Sequence, residues 1–181
     1  MLNETRLVSK TASAVEGITQ ALRGLGEEGV LRIAPEVQVA ARNNAAFKLS
    51  GDIAQTFRNG EFETITAGEL RQRMGLSEKF RLPRVFDDVT PYRGRFFASE
   101  KYVQSSDLAK KFLNLYDFDT GVNFNKATKL IYTEFDDDVR LFIGRAAGDN
   151  GLGGGMQFFV DNSYILSPKV NFLTNAITDL D

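Results

Sequence analysis

Three residue types are missing from the 181-residue chain: it has no histidine, no cysteine and no tryptophan. Without histidine there is no Ser-His-Asp triad, no HExxH zinc site and no imidazole acid-base pair. Without cysteine there is no thiol nucleophile, disulfide or zinc finger, and cysteine usage leaves the redox compartment open. Charge of one sign is also lacking, because 22 Lys and Arg face 24 Asp and Glu, a net charge of −2. No basic run is long enough to track a phosphate backbone, so nucleic acid is not expected as a partner. Long apolar runs are absent as well. In the first twenty residues Glu4, Arg6, Lys10 and Glu16 interrupt any stretch that would make a signal-peptide core or a membrane span. The sequence therefore predicts a soluble chain, and secretion or delivery into a target cell stays compatible with it. The chemistry left to it must use carboxylates, arginines, hydroxyls, amides or backbone donors.

What is present divides near residue 80. Leu7, Ala14, Ile18, Ala21, Leu22 and Leu25 recur at helical spacing, and a second periodic stretch after Pro35 includes Val37, Ala41, Ala45, Ile53 and Phe57. Thr66 and Glu69 form a capping box for a short helix whose apolar face is Leu70 and Met74, with Gly75 as its stop. Beyond Phe80, where most of the fifteen phenylalanines lie, the texture changes to short alternating runs. Lys129–Phe135 reads as a strand, Asp136–Asp138 as a tight turn, Val139–Ile143 as its hairpin partner and Met156–Val160 as another strand. A helix is expected from Ser105-Ser106-Asp107 through Leu113. The expected fold is α+β: a helical N-terminal region over 1–80, serving as linker, delivery or interaction segment, then a small, mainly antiparallel sheet domain with one or two helices over 81–181.

The most unusual segment is Gly148–Gly155, with five glycines in eight residues, inside a twelve-residue connection where a hairpin needs two to five. Ordering so much glycine carries a large entropy cost, which fits backbone at positive φ, close approach to a ligand, or movement. It is neither a Walker loop, for want of Gly-Lys-Ser/Thr, nor a dinucleotide fingerprint, since a strand follows it. A surface connection without a role is the plainer alternative. Gln157 comes directly after, sharing a strand face with Phe159. It reads either as an ordinary glutamine on a solvated face or as a ligand contact. A second cluster, Arg81, Arg84, Arg93 and Arg95 with Tyr92 and Phe96-Phe97, offers bidentate guanidinium forks and aromatic faces suited to a pyrophosphate and a flat ring. Pairing with Asp87 and Asp88 in a solvated network explains it equally well. Glu134, a strand carboxylate near Tyr132, is either exposed or placed to stabilise positive charge on a sugar. Asp117–Gly121 opens like an EF-hand loop, but Val122 and Thr128 stand where the glycine and the bidentate glutamate belong, and no metal site is expected.

The order Tyr92–Ser99 (YRGRFFAS), Ile131–Phe135 (IYTEF) and Val139–Val160 (VRLFIGRAAGDNGLGGGMQFFV) resembles the catalytic region of the necrotizing-toxin family of NAD glycohydrolases, C-terminal toxin domains of bacterial polymorphic secretion systems. Gly153-Gly154-Gly155-Met156-Gln157-Phe158 matches the family's Gly-Gly-Gly-x-Gln-Tyr/Phe element, whose glutamine is catalytic. The resemblance implies NAD or NADP as substrate, held by Tyr92, Phe96 and Gly153–Gly155. It implies Arg93 or Arg95 on the phosphates and Gln157, with Glu134, at the nicotinamide ribose. It also implies a cognate immunity protein. Nicotinamide in NAD is already a cationic leaving group, so its N-glycosidic bond can break without a general acid, and the missing histidine is no obstacle. An ADP-ribosyltransferase-like toxin, or a non-enzymatic module of a secretion system or phage, remain the alternatives.

Overall fold

The computed structural model describes residues 49–113, 115–117, 122–148 and 151–181. The periodic stretch Leu7–Leu25 and the start of the stretch after Pro35 lie outside the described residues, as do Asp149-Asn150 and most of the EF-hand-like segment. Among the described residues the strands are β1 (Glu63–Thr66), β2 (Phe80–Phe86), β3 (Phe96–Ala98), β4 (Tyr116–Asp117), β5 (Val122–Asn123), β6 (Lys129–Phe135), β7 (Arg140–Arg145), β8 (Met156–Val160), β9 (Val170–Phe172) and β10 (Thr178–Asp179). The α-helices are α1 (Gly51–Ala54), α2 (Ala67–Arg73), α3 (Ser106–Phe112) and α4 (Asn162–Ile165). The fold is α+β, mostly antiparallel sheet with few helices.

Two sheets carry the architecture. The first runs β1-β7-β8-β3, and the second runs β10-β6-β2 with β9 also on β6; each pair is antiparallel. Pro83 sits in β2 without cost to a ladder, because β2 is an edge strand. The inner faces meet through phenylalanines: Phe80 on Phe158 at 6.4 Å between ring centroids, and Phe97 on Phe135 at 5.1 Å. These offset and edge-on contacts add about 0.5–1.5 kcal/mol per pair beyond area burial.

α2 forms where the capping box places it. The Thr66 hydroxyl accepts from the Glu69 N–H at 3.1 Å and donates to the Glu69 carboxylate, and Leu70 and Met74 are fully buried. α3 begins as Ser105 caps the Leu108 N–H. β1 and α2, both before residue 80, contribute Ile65 and Leu70 to the same hydrophobic core as the later strands.

One expectation is overturned. β6 and β7 are not a hairpin, since they belong to different sheets, and Asp136–Asp138 is the corner where the chain changes sheet. Each corner carboxylate has its own cation: Lys79 on Asp136, Arg71 bidentate on Asp137 and Lys169 on Asp138. Three cations from three segments hold the corner, which explains the acidic run without a metal.

Candidate functional site

The strand β8 places Gln157. Its period-two alternation sends Met156, Phe158 and Val160 to the core between the sheets, and Phe159 to a second apolar cluster on the opposite face with Phe57 and Phe142. That opposite face is not solvated. Segment 49–62 folds across it, with Phe57, Phe62, Phe142 and Phe159 in successive ring contacts of 5.7–6.0 Å. Gln157 is consequently only 3% exposed, and the exposed-glutamine reading fails. Its Nε2 donates to the Thr56 carbonyl at 2.8 Å, and the same carbonyl accepts the Ala147 N–H at 2.7 Å. The amide nitrogen is thereby fixed, and Gln157 lines the neighbouring space.

That space is a cleft of about 200 Å³. Gln157 and Thr56 line it, with Arg84 from β2, Arg95 from the loop before β3 and Phe96 from the start of β3; Leu113, Leu115, Phe124 and Asn125 line it from the segments after α3 and β5. The volume is below the roughly 300–1,000 Å³ of a pocket for a drug-sized ligand, so it accommodates only a small group or one end of a larger ligand. Among the described residues no Asp or Glu lines it, whereas two guanidiniums do. Asn125 is 2% exposed and held by its own bonds, donating to the Val85 carbonyl and accepting the Ala127 N–H.

Arg84 is the residue that organises the cleft's rim. It is 8% exposed, and its Nε, Nη1 and Nη2 donate to the carbonyls of Tyr92, Phe96 and Pro91 at 2.8, 3.0 and 3.0 Å. The loop 91–96 thus wraps one guanidinium. It can do so because residue 94 has no side chain: a Cβ there would stand 2.1 Å from Nη2. Burial pushes the Arg84 guanidinium down to about 10, which still leaves it charged at neutral pH. The neighbouring turn is set by Asp87. Burial alone would push its carboxyl up, but the Lys126, Thr90 and Val89 N–H groups donate to it and hold it below the usual carboxylate range.

The structure brings together some of the expected site residues and separates others. Arg95, Phe96 and Gln157 share the cleft. Arg95 lies over the Phe159 ring at 5.6 Å, and Phe159 packs on Phe96 at 5.2 Å. Arg93 and Tyr92 do not line it. The Arg93 guanidinium sits 5.2 Å over Phe172 and donates to the Ile165 carbonyl, while Tyr92 packs between Phe86 and Phe172. Glu134 is on the outer face of β6, where its carboxylate takes both Nε and Nη2 of Arg81 and the Asn171 amide. Gly153–Gly155 do not line the cleft. Their N–H groups satisfy the Lys111 carbonyl, the Ala146 carbonyl and the Phe112 carbonyl, so the run caps the C-terminal end of α3 and ties it to β8. Gly153 does this at φ +78°. Among the described residues no group of three or more acidic side chains is arranged to hold a metal ion. Nor is any described helix long and apolar enough to cross a membrane.

Thr56 and Asn125 are polar lining residues that the sequence pattern does not single out. Arg84 was visible only as one member of a basic cluster, and nothing local marks it as the buried one.

No protein-family profile matches the chain, and no curated protein does. Solved structures are similar at a distance. They include Tne2 in complex with Tni2, at 15% identity and a TM-score of 0.45 over 66% of this chain and 91% of that one. Rhs1-CT in complex with its cognate immunity protein RhsI1 is similar at 15% identity and a TM-score of 0.46, over 66% of this chain and 82% of that one. Tse6 in complex with Tsi6 covers 81% of this chain and 95% of its own at 14% identity, with a TM-score of 0.42.

Proposed function

We propose that the chain is a toxin-type NAD(P) glycohydrolase that cleaves the bond between nicotinamide and ribose. The observation that carries the reading is the composition of the cleft: two guanidiniums, aromatic and apolar walls, and a buried glutamine amide, with no carboxylate lining it among the described residues. Such a cleft suits a ligand that combines phosphate charge with flat rings. The motif Gly153–Phe158, which resembles the necrotizing-toxin element, contains that same glutamine. In the reaction the C1′–N bond breaks with its electron pair passing to nicotinamide, which leaves neutral. Water then adds to the oxocarbenium-like ribose and its proton goes to solvent. Gln157 contributes a fixed neutral acceptor, Oε1, for a ribose hydroxyl or the incoming water, because its nitrogen is held by Thr56. Arg95 meets the phosphates at the rim and Phe96 packs on the ring; Glu134 takes no part, since Arg81 and Asn171 hold it outside the cleft. On this reading the chain acts inside a target cell after delivery and is restrained by an immunity protein.

The test is incubation of the purified full chain with NAD and NADP, following release of nicotinamide. Gln157→Ala lowers turnover by about 10²-fold or more, the scale of losing one aimed polar group, while cooperative unfolding persists. Unchanged turnover removes the glutamine from the mechanism. Label transferred to protein moves the reading to an ADP-ribosyltransferase, and an inert mixture moves it to a binding module.

A further inference from the structure

Arg84 has an unusual electrostatic position. It is more than nine-tenths buried, and its three hydrogen bonds go to neutral backbone carbonyls. Three donors are spent, and a guanidinium has five. Among the described residues no carboxylate pairs with it, and burial works against its charged form. A buried charge left without a countercharge is costly, and arginine, unlike lysine, does not escape the cost by losing its proton at neutral pH. The fold tolerates this at a residue that lines the cleft. The second cation there, Arg95, is exposed and rests on the Phe159 ring, so its charge is already hydrated. Asp87, three residues along the chain, makes no ion pair with Arg84; its oxygens take the N–H groups of Val89, Thr90 and Lys126 instead. The charge imbalance of the cleft therefore resides in Arg84.

We infer that Arg84 is the anion-recognising group of the cleft, its buried and uncompensated guanidinium selecting a phosphate-bearing ligand whose charge completes an ion pair left open in the free protein. The inference rests on the glycohydrolase reading for the identity of the ligand, a pyrophosphate within a dinucleotide, but not for the anion site itself. Arg95 then steers the ligand from the rim, and Arg84 holds it.

Inorganic pyrophosphate is the probe, because it reads anion binding without turnover. In the full chain labelled with 15N, the Arg84 Nε–H resonance shifts with pyrophosphate concentration along the same saturation curve as calorimetric binding. Arg84→Met weakens pyrophosphate by tenfold or more, and Arg84→Lys, which can shed its proton when buried and cannot hold the three carbonyls, does not restore wild-type binding. Saturable pyrophosphate binding that leaves the Arg84 resonance unmoved overturns the inference, as does absence of binding, and the resonance measurement needs no variant to fold. Nicotinamide release with a silent Arg84 refutes this inference alone; pyrophosphate on Arg84 without nicotinamide release refutes the glycohydrolase reading alone.

Discussion

Replacing Gly94 by alanine tests whether the loop 91–96 is clamped by the buried guanidinium of Arg84. An added Cβ would lie 2.1 Å from Nη2, 2.3 Å from Cζ and 2.9 Å from Nε. Contact distances between non-bonded heavy atoms are about 3.5–4.0 Å, so the guanidinium or the loop must move by roughly 1.4 Å. A displacement of that size carries the 3.0 Å bond from Nη2 to the Pro91 carbonyl out of hydrogen-bond range and stretches the 2.8 Å bond from Nε to Tyr92. A flexible arginine on a surface would swing away at little cost. This one has no room to swing, because it is 8% exposed and held at three points. Each hydrogen bond to a charged group is worth about 1.5–3 kcal/mol, so losing one and weakening another destabilises the protein by about 2–4 kcal/mol. At about 2–4 °C per kcal/mol for a chain of this size, Tm falls by roughly 5–15 °C. Urea and thermal unfolding measure the change, and the same substitution in an Arg84→Met background isolates the clash. With the guanidinium gone, alanine at 94 costs less than about 0.5 kcal/mol, leaving a coupling above 1 kcal/mol between the two sites. A loss that is small in both backgrounds, or equally large in both, refutes the clamp.

Two further outcomes follow from the same geometry. Gly153→Ala combines φ +78° with a Cβ 2.4 Å from the Ala147 carbonyl oxygen, so it destabilises by about 2–3 kcal/mol in urea unfolding; a loss under 0.5 kcal/mol refutes the strain. Asp87→Asn makes stability less sensitive to acid. The folded carboxyl is held below its unfolded value, so its contribution is full above the unfolded value near 3.9 and is lost as pH falls through the lower folded value. The urea midpoints of wild type and variant therefore converge between pH 6 and pH 2, and a constant separation refutes the assignment.

Local patterns carried the elements where the signal was itself local. The Thr66–Glu69 box, the Ser105 cap, the KLIYTEF strand and the MQFFV strand all form where the residues predict. Alternation failed at the pairing of β6 with β7, since an acidic turn between two strands looks the same whether the chain doubles back or crosses to another sheet. The choice is made by distant partners, Lys79, Arg71 and Lys169, which hold the corner. The site divides in the same way. Gln157 and Arg95 were marked by neighbouring motifs, and both line the cleft. Glu134 was judged by its chemistry alone. The parity of β6 decides its place, because Ile131, Thr133 and Phe135 turn to the buried side and Glu134 to the other. The burial of Arg84 depends on a loop folding back over it, and the burial of Gln157 on segment 49–62 crossing the sheet, neither of which a strand pattern contains.

The hydrogen bond between Gln157 and Thr56 joins residues 101 positions apart. Closing so long a loop carries an entropy cost that grows with the logarithm of its length and is met only once the intervening sheets have paired. The cleft wall is thus a late product of folding with no local precursor. A partly folded chain that already holds its hairpins and helices would still lack the fixed amide, and recovery of a Gln157-dependent signal during refolding would time completion of the whole fold.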